Sequence, residues 1–405
     1  MDKIKISTLL LTLVLLMICS NLFSQQFPQW GNLKPGKYSV GYKDTIFIKN
    51  DEKFRFYETN EYKPFYVCIW YPAINRTEIP EMTYRNYWDF ERPDKYNQLY
   101  DSLITRFTRI LISDAICKDI KTYSRVAFDT LQKKLLEDVW STKVNAKKNL
   151  AIIKGNLPCI LYHHGAQSTP NDNNVFCEFM ASQGYLVVSS NYNLPADYYE
   201  GLTATTDENG DFASDIKFVL NQTKKSYNLD TNNIFAVGHS MGAQDFIKSD
   251  TAISKPFKEI ISFHTTLEDR SIKDANKIWP EIMTEFKNNH KKMTTPTVLF
   301  APIKLSQKDT LWPEYRAFKK NTTTPYTFIT VKYPQTHDGF ITLGNLRFPY
   351  CNKYNLNDKN EIHTLQKSYE NIVLYSSDII NNTVNNKTNV FESEYAKFFK
   401  IELKK

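Results

Sequence analysis

Several things are missing from this 405-residue chain, and each absence removes a class of function. It has no internal repeat, so solenoid and array architectures are excluded. Lys and Arg are spread evenly, with no basic block and no basic stripe interleaved with aromatics, so the net charge of +7 reads as a solvated basic surface and not as a nucleic-acid footprint. There is no Cys-x-x-Cys pair, and no group of His, Asp or Glu has metal-ligand spacing, so no metal or other cofactor is expected. After the first twenty residues no apolar run is long enough to cross a bilayer.

The N-terminus reads as a targeting segment. Lys3 and Lys5 precede an apolar run from Leu9 to Ile18, and small and polar residues follow through Gln26. This is the pattern of a secretory signal peptide over 1–24, too short for a stable span. Cys19 at the end of the run raises lipid anchoring as the alternative, but the bulky Ile18 stands where lipoprotein signals carry a small residue. The expected product is therefore exported, periplasmic or extracellular. Its charge is about +6, and it keeps five cysteines, Cys68, Cys117, Cys159, Cys177 and Cys351. An odd number cannot all pair internally, so buried free thiols are expected, with at most an unassignable disulfide.

The rest reads as one α/β domain, 25–405. Hydrophobic residues make up 41% and aromatics 14%, enough for a large core. Gly36–Tyr42, Thr45–Ile48 and Tyr66–Ala73 read as antiparallel strands opening a mixed sheet, with a turn near Asn50 and Asp51. Residues 91–148 interrupt the strands. Apolar residues three and four apart (Leu99, Leu103, Phe107, then Leu131, Leu135, Val139) predict two amphipathic helices, read as an inserted cap; packing directly on the sheet is the alternative. Beyond them, strands at 157–164, 185–190, 234–239, 260–264, 297–301 and 327–331 alternate with helices, among them 173–183 and 213–225. Continuous apolar strands in β–α–β order argue a mostly parallel sheet covered on both faces. The 327–331 strand is the last expected; a helix over 362–380 and a polar loop over 381–389 follow.

Candidate chemistry centres on Gly238-His239-Ser240-Met241-Gly242, set between an apolar strand and a helix. In that context Gly-x-Ser-x-Gly makes a tight turn that lifts the serine hydroxyl to a helix N-terminus. Ser240 is the candidate nucleophile, and the Met241 amide faces a developing oxyanion. His337, in the polar loop after the last expected strand, can reach back to take the Ser240 proton. An acid should orient it. Asp309, after the 297–301 strand, is the candidate; Glu268 and Asp269, after the 260–264 strand, remain open. The second oxyanion donor is expected from the loop after His163-His164-Gly165, at the amide of Ala166.

These residues resemble the α/β-hydrolase superfamily, and most of all platelet-activating-factor acetylhydrolase and dienelactone-hydrolase-like secreted enzymes. The likeness is carried by Gly36–Gly41, Ile69-Trp70-Tyr71-Pro72-Ala73, Tyr162-His163-His164-Gly165, Ala181–Val188, the Ser240 elbow and Thr336-His337-Asp338. It spans about 35–345 without the helical region. It implies a serine hydrolase cleaving a small-molecule or lipid carboxylic ester through an acyl-enzyme. A peptidase or a non-catalytic binding protein on the same fold are the competing readings. Two departures stand out. Dienelactone hydrolases use a cysteine where this chain has Ser240. In the acetylhydrolases the acid ends the strand after the elbow, where this chain has His264.

Overall fold

A computed structural model describes residues 27–56, 59–89, 92–110, 125–166, 168–192, 197–198, 212–252, 256–265, 295–303, 325–333, 335–346, 359–387 and 395–404. The signal segment, Cys19, Cys117, Glu268, Asp269, Asp309 and Cys351 lie outside these residues.

The main strands are β1 (Ser39–Phe56), β2 (Thr59–Ala73), β3 (Leu157–His163), β4 (Leu186–Ser190), β5 (Leu229–His239), β6 (Glu259–Phe263), β7 (Thr297–Pro302), β8 (Tyr326–Val331) and β9 (Phe399–Lys404). They form one sheet in the order β9-β8-β7-β6-β5-β3-β4-β2-β1, with two-residue segments Lys147–Lys148 and Asp197–Tyr198 pairing along β1. From β4 through β8 every neighbour is parallel. The β1–β2 hairpin joins β4 antiparallel, and β9 joins β8 antiparallel at the other edge.

The buried strands alternate between two cores, as a period of two dictates. On β5, Phe235 and Val237 enter one core while Ile234 and Ala236 enter the other; on β7, Val298 and Phe300 oppose Leu299 and Ala301. Helices α3 (Asn174–Gln183) and α6 (Lys359–Val384) cover the first face, through Phe176, Met180, Tyr369 and Ile372. Helices α4 (Phe212–Ser226) and α5 (Met241–Ala252) cover the second, through Ile216, Val219, Phe246 and Ile247. The sheet is thus closed on both sides, which is why its strands read as continuous apolar runs.

Of the interrupting region, the structure describes helices α1 (Asn97–Ile110) and α2 (Arg125–Ser141). Tyr100, Leu135 and Val139 are buried in the core of the first face, and the Tyr100 ring stands edge-on to Tyr66 of β2 at 5.5 Å.

Three expectations about elements need correction. The strands expected at 36–42 and 45–48 are one strand, β1, whose polar stretch near Asn50 is a register shift between Lys49 and Lys53 and not a turn. Lys49 there is buried because its ammonium meets Asp215 of α4 at 2.9 Å. The strand at 327–331 is not the last, since β9 follows. Helix α6 runs on to Val384, through the first residues of the expected polar loop. Cys68, Cys159 and Cys177 are buried free thiols. Among the described residues no helix is long and apolar enough to cross a membrane.

Candidate active site

β5 delivers Ser240 at the carboxyl end of the parallel strands. Ser240 adopts φ +52°, a left-handed conformation that costs a residue bearing a Cβ roughly 1–2 kcal/mol. Two glycines make the turn possible. A Cβ on Gly238 would lie 2.4 Å from the Ala243 nitrogen, and one on Gly242 would lie 2.3 Å from the His163 carbonyl oxygen. α5 begins at Met241, and the amides of Ala243 and Gln244 both donate to the Ser240 carbonyl at 3.2 Å, so Ser240 stands at the helix N-terminus, where amides favour a negative charge.

His337 arrives on the loop after β8. Two contacts bring it beside the elbow. His239 Nε2–H donates to the His337 carbonyl at 3.0 Å, with the two rings 4.6 Å apart. His337 Nδ1 meets Nδ1 of His264 at 2.8 Å. His264 directly follows β6, and the Ser240 amide donates to the carbonyl of Phe263, its neighbour, at 3.3 Å. Ser240 and His337 are therefore brought to one corner by the adjoining ends of β5 and β6.

The loop carrying His337 is fastened. Asn345 donates to the carbonyls of Gly339 at 2.9 Å and Ile341 at 2.7 Å. The Thr342 amide donates to Asn173 Oδ1 at 3.1 Å, and Tyr369 of α6 donates to the same oxygen at 2.6 Å. On the other side, Gln244 of α5 donates to the Thr265 carbonyl at 2.6 Å, which pins the chain just past His264.

The loop after β3 crosses directly over the nucleophile. A Cβ on Gly165 would lie 3.2 Å from the Ser240 Cβ and 2.8 Å from His239 Nδ1. Ala166, the expected second donor, follows it on the exposed part of the turn. Behind the loop Asp172 is fully buried and accepts the Tyr162 hydroxyl at 2.7 Å. Burial pushes its carboxyl up to about 7, against the pull of Ser168, Tyr162 and the Gly165 amide. His163 points away from the site, its Nε2 3.3 Å from Asp245 of α5 and its ring stacked on Tyr192.

Burial holds His239 well below its ordinary pKa, helped by the neighbouring His337 and His264. Its tautomer is fixed as well: the His337 carbonyl can only accept, so Nε2 carries the proton and Nδ1 turns its lone pair toward Gly165. Among the described residues one group, His239, His337 and Asp338, brings three ligand-type atoms within 4.8 Å. A metal on His239 Nε2 would have to displace its bond to the His337 carbonyl.

Thus Ser240, Met241, His337 and the Gly165–Ala166 turn gather at one end of the sheet. Asp309, Glu268 and Asp269 lie outside the described residues. The residue that sequence reasoning gave no role is His264; its signal was its place at the end of the strand after the elbow.

No protein-family profile matches the chain, and no curated protein does. A solved structure of a ferulic acid esterase from Streptomyces cinnamoneus is similar, with a TM-score of 0.55 at 12% sequence identity, covering 92% of this chain and 98% of that one. With the parallel sheet, its two helical layers and the strand–turn–helix at Ser240, that likeness shows the α/β-hydrolase fold.

Proposed function

We propose that the chain is a serine hydrolase that cleaves carboxylic esters through an acyl-enzyme. The left-handed Ser240 at the junction of β5 and α5 carries the proposal, because strained backbone of this kind at a strand–helix junction clusters at reactive sites. In the proposed cycle Oγ of Ser240 attacks the ester carbonyl carbon while Nε2 of His337 takes its proton. The oxyanion is held by the amides of Met241 and Ala166; each such donor lowers the barrier by roughly 3 kcal/mol. The bond to the leaving alcohol breaks, and that alcohol receives the proton from His337. Water, deprotonated by His337, then attacks the acyl carbon and releases the acid and Ser240. For a carboxylate to orient His337 the sequence offers Asp309, with Glu268 and Asp269 as alternatives.

The esterase-like neighbour and the resemblance to acetylhydrolases support a small-molecule or lipid ester as substrate. The region 91–148 is proposed as the element that sets acyl length, and the N-terminal segment as an export signal. A fluorophosphonate probe on the folded protein tests the reading: labelling at Ser240, absent in Ser240→Ala, is expected. A panel of aryl esters of graded chain length, run against aminoacyl amides, then defines the substrate. Folded protein that takes no label at Ser240 overturns the proposal.

A further inference from the structure

His264 occupies an unusual place. It is 3% exposed and holds φ +59°, a second left-handed residue at the strand end next to Ser240. Its amide donates to the Phe300 carbonyl of β7 at 3.0 Å, and its ring lies against Phe340 with centroids 5.6 Å apart. Backbone and ring are thus both held, and what they aim is Nδ1, at 2.8 Å from Nδ1 of His337, with the rings edge-on at 70°. We infer that His264 is the positioning residue that fixes the tautomer and orientation of His337.

The chemistry follows from the proton count. Two nitrogens at this distance share one proton, so one ring donates and the other accepts. For His337 to take the Ser240 proton on Nε2, its own proton must sit on Nδ1. His337 therefore donates, and His264 accepts with its proton on Nε2. That fixes the imidazole as a carboxylate would. The difference is charge: a neutral acceptor does not offset the imidazolium formed during attack. The other titratable groups about His337 among the described residues are His239 on β5, held neutral, Asp338 on the same loop, and His164 beyond His239. Protonating both rings would set two cations 2.8 Å apart.

This inference rests on the esterase reading for its catalytic role, but the hydrogen bond can be tested without activity. In full-length protein labelled with 15N only at histidine, a low-field proton showing coupling to two Nδ1 nitrogens is expected. It should persist in Ser240→Ala and vanish in His264→Ala. Absence of that coupling in wild type overturns the inference. For the role, p-nitrophenyl acetate turnover is compared across variants. His264→Ala should lose roughly 10²–10⁴-fold in kcat with KM within about threefold, on the precedent of the orienting group in a triad. His264→Asp should restore turnover and move the acidic limb of kcat/KM to higher pH, because a carboxylate favours the imidazolium. Normal kcat in His264→Ala overturns the role. If the fluorophosphonate label fails while the shared proton is present, the esterase reading and the role fall and the hydrogen bond stands.

Discussion

Gly165 passes so close to Ser240 that a single methyl group on it would press on the nucleophile, 3.2 Å from the Ser240 Cβ. The same methyl would meet His239 Nδ1 at 2.8 Å, on a ring whose Nε2 holds the carbonyl of His337. Gly165→Ala is therefore expected to act on the site more than on the fold: kcat falls at least tenfold while the melting temperature changes by a few degrees. Gly242→Ala is the contrast. Its methyl would strike the His163 backbone carbonyl at 2.3 Å, where no side chain can yield, so the fold itself should lose several kcal/mol. Thermal melts beside ester turnover separate the two.

Ser240→Gly tests stored strain. The left-handed turn costs a serine about 1–2 kcal/mol, and glycine escapes that cost but loses about 0.5–1 kcal/mol through its freer unfolded chain. The variant should be inactive and at least as stable as wild type, by up to about 1.5 kcal/mol. Ser240→Ala keeps the Cβ and should show no such gain. Urea unfolding of the three proteins reads this directly.

Glu259 predicts a pH dependence of stability. Burial at the start of β6 pushes its carboxyl up to about 7, although Thr383 donates to it at 2.9 Å. A folded pKa above the unfolded one means the native state holds the proton more tightly. Its contribution is complete below the ordinary carboxylate range near 4.5 and is lost as pH rises to about 7. Relative to Glu259→Gln, wild type should weaken over that window by on the order of 3 kcal/mol, at about 1.4 kcal/mol per unit. His239 runs the other way: with its pKa lowered on folding, it costs stability as pH falls below its ordinary value near 6.5. Denaturation midpoints across pH 4–8 for Glu259→Gln and His239→Gln check both signs.

Glu178 of α3 is wholly buried and accepts from Tyr87 at 2.7 Å, Trp30 at 2.8 Å, Asn174 at 2.7 Å and the Asn145 amide at 3.0 Å. Removing it strands four donors brought together from across the chain. Glu178→Ala should cost about 3–5 kcal/mol, and Glu178→Gln less, as seen in equilibrium unfolding.

The parallel strands and the elbow were legible because both rest on local patterns: apolar runs buried on two faces, and glycines where a turn excludes any side chain. What escaped depends on distant partners. β1 looks broken at Lys49 because Asp215, the buried carboxylate that its ammonium meets, lies far along the chain. β9 has the short, Lys- and Glu-bearing sequence of a surface segment, and it becomes a strand because β8 offers it an edge. The position of His264 could be read off, but its contact could not: nothing in a sequence says that one imidazole will serve another. The helices within 91–148 were visible from their periodicity, whereas their burial beside Tyr66 required the hairpin to be in place.

The ties that hold the His337 loop also span a long stretch of the chain. Ser240 and the strands β3 to β6 around it are complete by residue 263, while the loop bearing the base is anchored through Asn173 to Tyr369, in a helix ending at Val384. The nucleophile comes early in the chain and the anchor of the base comes late, so a chain shortened ahead of α6 loses both the tie that seats His337 and part of the core behind the elbow strands.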